Sequence, residues 1–167
     1  MNGLPSSLRG WAPIALAVIV LDQLTKWWAV NTLDTRDIDI VWTLRFHLSF
    51  NSGMAFSQGQ GLGPVIGVIA LVVIVGLVLS LKREQSRVAD VAVGLIVGGA
   101  IGNVLDRLFR EPGWFRGSVV DFIDFQWFPI FNVADMGITI GGLLLVGVSW
   151  WSSRQVEHPA AVSPDQP

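Results

Sequence analysis

The chain has no cysteine, only two histidines, and charged side chains at no more than 14% of its 167 positions. Each shortage removes a class of chemistry. Without cysteine there is no disulfide framework, no thiolate nucleophile and no thiolate metal site. There is also no His-Glu-x-x-His, no Gly-x-Ser-x-Gly and no Gly-x-x-x-x-Gly-Lys, so zinc hydrolysis, Ser-His catalysis and P-loop phosphate binding lack their usual parts. A net charge of −2 with no basic stripe does not suit nucleic acid.

What remains is apolar. Hydrophobic residues make up 51% of the chain and the mean hydropathy is +0.56, far above an average soluble domain. Four runs, residues 11–30, 64–81, 88–108 and 132–151, are long enough to cross a bilayer as helices. The expected fold is a membrane all-α protein with four transmembrane helices and a small extramembrane β-strand segment between helices 1 and 2. Residues 1–155 are expected to form one domain and residues 156–167 a disordered tail. The first run continues through Asp22 and Lys26 with no small-x-small site at its end, so it reads as a retained helix and not a cleaved signal. Three cations and one anion in residues 82–87 put that loop, and with it both termini, on the cytoplasmic side.

Residues 40–51 alternate apolar and polar with period two, the pattern of one half-exposed strand that caps the helices or receives an extended peptide. His47 reads as a solvated strand residue. Gly94, Gly98 and Gly102 form a smooth stripe for close helix packing.

Carboxylates in apolar surroundings are costly without a partner or a task. Asp22 and Lys26 stand at i, i+4, as a neutralising pair or as support for a site. Asn103, Asp106 and Arg107 share a helix face, either as a structural ion pair or in the chemistry itself. Asn132 and Asp135 have the spacing of a capping box, and a purely structural Asp135 is a real alternative. Asp121 lies in a short β-branched run. Three residues on, Asp124 should turn away from Asp121's face. Helix direction brings Asp22, Asp106 and Asp135, and the loops bearing Asn51 and Asp121, to one membrane surface. Two carboxylates that cannot both ionise in a dry site could share a proton and activate water, as in aspartic proteases. An ion-coupled transporter, a Mg-dependent lipid-modifying enzyme using Asp121, Asp124 and Asp135, and a purely structural membrane protein are the competing readings.

Asp22-Gln-Leu-Thr-Lys26, Asn51-Ser-Gly-Met-Ala-Phe56, the run from Gly98 to Arg107, Val120-Asp-Phe-Ile-Asp124 and Phe131-Asn-Val-Ala-Asp135 together resemble, in order, the motifs of bacterial lipoprotein signal peptidase, signal peptidase II. The resemblance implies an inner-membrane, multi-pass aspartic endopeptidase with its site toward the outer face. It would cut diacylglyceryl-modified prolipoproteins before the lipidated cysteine, with membrane lipid as its other partner, as a monomer and with no metal or other cofactor. It implies catalytic roles for Asp121 and Asp135. Asp22, Lys26, Asn51, Gly53, Asn103, Asp106, Arg107, Asn132 and Ala134 would support the site or bind substrate.

Overall fold

The computed structural model describes residues 10–53, 63–80, 86–111, 113–114 and 116–157. Its elements in order are α1 (Ala12–Thr32), β1 (Ile38–Val41), β2 (Leu44–Asn51), α2 (Gly63–Ser80), α3 (Arg87–Phe109), β3 (Val119–Asp124) and α4 (Val133–Glu157). The four helices fall on the four apolar runs. Three of them, α1, α3 and the Val133–Trp151 part of α4, are long and apolar enough to cross a membrane. The described apolar stretch of α2, Gly67–Leu79, is shorter. Motif residues 54–56, the cationic loop residues 82–85 and tail residues 158–167 lie outside the described part, while α4 itself runs on to Glu157.

Local chemistry sets the helix ends. Pro13 sits in the first turn of α1, where no backbone donor is needed. Ser86 caps α3, its Oγ accepting from the Ala89 N–H at 3.2 Å. α3 is the central helix, packed against α1, α2 and α4. The glycine stripe does what its spacing suggests toward α1: a Cβ on Gly98 would stand 2.7 Å from the Ala15 carbonyl oxygen. At Gly102 the missing side chain makes room for a carboxylate, since a Cβ there would stand 2.5 Å from Asp22 Oδ2. Away from these seams the helices expose Leu24, Val72, Leu143 and Val146, a surface suited to lipid and not to water.

The extramembrane segment differs from its sequence reading in two ways. Residues 40–51, read as one strand, fold as two. The chain reverses at Trp42-Thr43, so β1 and β2 pair as a hairpin with Ile38 opposite Phe46. The alternation runs through this turn because neither residue is a Gly, Asn or Asp that would mark it. β3, from between α3 and α4, then joins the sheet, which is antiparallel with order β1-β2-β3 and pairs Arg45 with Asp124, Ser49 with Asp121 and Asn51 with Val119. The strand segment is therefore not confined to the connection between the first two helices. Ala29, Leu33, Val120 and Phe122 form one buried cluster that joins β3 to the end of α1.

Candidate active site

Lys26 stands at the centre of the buried polar groups. Its Nζ lies 2.9 Å from Asp22 Oδ2 one turn back, 2.9 Å from Asp106 Oδ2 on α3, and donates to Asn103 Oδ1 at 2.9 Å. Three acceptors match the three protons of an ammonium group, so the buried charge is fully hydrogen-bonded. Each carboxylate then ties down a further element. Asp22 Oδ1 accepts the Ala134 N–H at 2.9 Å, holding the first turn of α4 against α1. Asp106 accepts the Val120 N–H at 3.2 Å, fastening β3 to α3. Ala134 is fully buried, and its Cβ would lie 3.5 Å from one placed on Gly102, so a larger side chain has no room.

Spacing predicts that Asn103, Asp106 and Arg107 share a helix face, and the structure sends them to different partners. Asp106 pairs with Lys26 and with Arg110, whose Nε is 2.7 Å from Oδ1. Arg107 reaches instead across to the Gly53 carbonyl at 3.3 Å, and its Nη1 finds no partner among the described residues. Helical periodicity fixes the face but not which neighbour lies across it.

Two amides join the two candidate catalytic carboxylates. Asn132 and Asp135 form the reciprocal capping box: the Asp135 N–H donates to Asn132 Oδ1 at 3.0 Å, and the Asn132 N–H donates to Asp135 Oδ2 at 3.2 Å. The Asn132 side-chain amide remains free to donate to Asp121 Oδ1 at 2.6 Å and to Asn103 Oδ1 at 3.2 Å. Asn103 donates to Asp135 Oδ1 at 2.8 Å. From the sheet, Asn51 donates to Asp121 Oδ2 at 3.1 Å, and its own Oδ1 accepts from the Gly53 N–H. Asp121 and Asp135 thus face a common cavity of about 260 Å³, lined also by Asn51, Asn103 and Arg107 and by apolar Ala70, Ala100, Val104 and Ile138.

The electrostatics separate Asp121 from its neighbours. Burial pushes its pKa up to about 7; the negative charge of Asp135 adds to the rise, and the Asn51 and Asn132 amides oppose it. Charge counting agrees. Asp22, Asp106, Asp121 and Asp135 gather with Lys26, Arg107 and Arg110, four carboxyls with three cations, so one shared proton brings the cluster to neutrality. Asp124 lies on the other side of the strand. Burial raises its pKa, but the Arg45 Nε at 2.7 Å and the Gln126 N–H at 2.6 Å outweigh that and hold it below the ordinary carboxylate range. No three His, Cys, Asp or Glu side chains gather as a metal site among the described residues.

The sequence pattern does not mark every participant. Gln23 Nε2 donates to Asp22 Oδ2 at 3.1 Å and to the Gly102 carbonyl at 3.2 Å, and Arg110 lies four residues from Asp106, a spacing that could have flagged it. His47 is not merely solvated, since its Nδ1 lies 2.7 Å from Asp37 Oδ1.

Helices with an apolar exterior around a buried polar centre, closed at one end by a small sheet, define an integral membrane protein with a two-carboxylate cavity. The model of the family described as Signal peptidase (SPase) II matches residues 14–151. A lipoprotein signal peptidase of Mycobacterium leprae (strain Br4923) is 41% identical over 147 residues, which cover 87% of this chain and 73% of the relative. One of Mycobacterium avium (strain 104) is 42% identical over the same share of this chain and 81% of its own. A solved bacterial membrane enzyme superposes with a TM-score of 0.71 at 26% identity, covering 93% of each chain. A second gives a TM-score of 0.69 at 29% identity over 82% of this chain and 90% of its own. The chain belongs to the signal peptidase II family.

Proposed function

We propose that this protein is an aspartic endopeptidase that removes the signal peptide of diacylglyceryl-modified prolipoproteins before the lipidated cysteine, with Asp121 and Asp135 as its catalytic pair. Family membership supports the hydrolytic activity. The observation that carries the pairing is the single Asn132 residue, hydrogen-bonded to Asp121 through its side chain and to Asp135 through backbone and side chain, beside one cavity. Asp121 holds the shared proton at rest, consistent with its raised pKa. Asp135, with an amide on each oxygen at a helix N-terminus, is the carboxylate.

In the reaction Asp135 takes a proton from water, whose oxygen bonds to the scissile carbonyl carbon while Asp121 protonates the carbonyl oxygen. The tetrahedral diol then collapses. Asp135 returns its proton to the leaving nitrogen, Asp121 takes one from a diol hydroxyl, and the C–N bond breaks, restoring both side chains. Arg107 Nη1 and Asn51 are donors available to the peptide carbonyls, while Asp22, Lys26, Asn103, Asp106, Gly53, Asn132 and Ala134 hold the walls. No step needs a metal.

The arrangement fits a monomer in the bacterial inner membrane, one domain through residue 155, with four crossings by α1 to α4. Both termini are cytoplasmic by the charge of residues 82–87, and the site is toward the outer face, with lipid flanking the substrate. The test is to incubate purified protein with a diacylglyceryl-modified prolipoprotein in detergent, with and without EDTA. Cleavage before the lipidated cysteine that survives the chelator is expected. Failure of folded protein to cleave, or cleavage lost with EDTA, overturns the reading.

A further inference from the structure

Two turns at one end of the sheet carry side chains that their backbone does not favour. The β1–β2 turn has Trp42 at φ +52°, and the turn after β3 has Gln126 at φ +66°. Left-handed backbone is the province of Gly, Asn and Asp, so a bulky Trp there points to a use for the side chain that offsets its poor fit to the turn. The turns are tied together, with Gln126 Nε2 donating to the Thr43 carbonyl at 3.1 Å. They present Trp42, 94% exposed, together with exposed Trp127 and Phe128. The last two belong to a ring ladder in which Phe125 to Trp127, Trp127 to Phe128 and Phe128 to Phe131 are 5.8, 6.0 and 6.0 Å apart, so they are propped outward and not collapsed onto the sheet.

The depth of these rings follows from the helix ends. Trp28, one turn before the end of α1, meets Phe46 and Phe122 edge-on at 5.3 and 6.1 Å, so β2 and β3 lie beside the last turn of α1 and not above it. At the same level Trp27 faces outward. Phe131, the inner rung of the ladder, is two residues from the start of α4. Both helix ends therefore put the aromatic turns where an apolar bundle leaves hydrocarbon, the zone in which Trp rings settle.

We propose that Trp42, Trp127 and Phe128 form a foot that inserts into the lipid headgroup region at the end of the bundle bearing the two-carboxylate cavity, holding the sheet down against the bilayer. Lipid is favoured over a protein partner because the rings continue the apolar surface of α1 and α4 that a membrane already has to cover.

The chain's lack of cysteine makes the test direct. Nitroxide labels on Trp42→Cys, Trp127→Cys and Phe128→Cys, in full-length protein reconstituted in nanodiscs, are compared with Asp34→Cys as the water reference and Leu143→Cys as the lipid reference. The foot labels should show an oxygen-to-nickel-chelate relaxation ratio several-fold above that at Asp34 and below that at Leu143, as expected at headgroup depth. Water-like behaviour at Trp42 and Trp127 overturns the proposal. So does dipolar broadening at these labels that disappears on dilution with unlabelled protein, which would place a second copy there. If a cysteine variant does not fold, Trp42→Phe and Trp127→Phe are read instead. Each should lower the fraction of tryptophan fluorescence quenched by lipid brominated near the headgroup, and unchanged quenching counts against the foot.

Discussion

Asp121 and Asp124 are three residues apart on one strand, both buried, and the protein treats them oppositely. Asp121 faces the cavity it shares with Asp135, receives only neutral amides among the described residues, and sits near that carboxylate; burial pushes its pKa up to about 7. Asp124 faces the outer network, in which Arg45 bridges it to Asp37 and Asp37 in turn meets His47, and its pKa is held low. Burial, with amides and not a cation bonded directly to its oxygens, raises the pKa of one carboxylate toward neutral pH. Supplying a cation to the other makes it a fixed anion. The strand's period of two is enough to separate the two environments.

The largest test of that contrast is replacement of each carboxyl by an amide. Asp121→Asn and Asp135→Asn should each lower turnover about 10³-fold or more, within the range for loss of a general acid or base, while the proteins stay folded. Asp124→Asn should keep turnover within a few-fold of the starting protein. Substantial cleavage by folded Asp135→Asn, measured beside its melting temperature, would show that this residue only caps α4 and would sink the paired mechanism.

Next in size is the cation that the inner cluster does possess. Lys26→Met leaves Asp22 and Asp106 facing each other without their shared ammonium, and removing one partner from a buried charged cluster costs about 3–5 kcal/mol. A much-reduced yield of folded protein, or a large fall in melting temperature, is expected. A Lys26→Met protein as stable as the starting chain would mean that Asp22 and Asp106 are already neutral, and the charge balance drawn above would be wrong.

The two aspartates should also give stability slopes of opposite sign. Asp121 has a folded pKa of about 7, above an unfolded value of about 3.9, so between those values the native state binds more protons than the unfolded chain. Its contribution is fully present below about pH 4 and is lost as pH rises through 7. Asp121→Asn abolishes that loss, because the amide does not ionise, although its NH2 is a poorer match than a carboxyl oxygen for the Asn51 or Asn132 amide that donates to it. Relative to the starting protein it should gain on the order of 2–4 kcal/mol between pH 4 and pH 8. Asp124, with its depressed pKa, contributes stability above the unfolded value that is lost as pH falls through the folded one. Asp124→Asn should therefore flatten the acid limb alone. Melting temperatures of both variants from pH 3 to pH 8 decide this, and parallel curves would refute the separation.

The helices and the cluster were legible for different reasons. Four apolar runs give four helices, three of them long and apolar enough to cross a membrane, because spanning a bilayer needs uninterrupted hydrophobic length and little else. The end of α4 was harder, since its last turns are polar and are held by contacts such as Arg154 stacked 3.9 Å over Trp150, which no hydropathy pattern shows. Helix direction alone brings Asp22, Asp106 and Asp135 to one end, and Asn132 with Asp135 carries its capping pattern openly. What the sequence could not show was partner choice. Spacing pairs Lys26 with Asp22, its local neighbour, yet it also binds Asp106, eighty residues away. Asp106 and Arg107 were adjacent on a face and chose different partners. The turn at Trp42-Thr43 was invisible because its residues are strand formers.

The smallest expected effect isolates the outer side of the strand. Arg45→Gln removes the guanidinium from Asp124 and Asp37 and leaves Asp121, on the opposite face, with its amide partners untouched. Arg45 is a partly exposed side chain whose ion pairs are screened by water, so only a small drop in melting temperature is expected, and it should shrink further in high salt. Asp124 should titrate closer to the ordinary carboxylate range. The acid and alkaline limbs of the cleavage pH profile, which on the proposed mechanism report the Asp121 and Asp135 pair, should stay where they are. A shift of either limb in Arg45→Gln would mean that charge on the outer face reaches through the strand to the pair, and that the two aspartates are not independent.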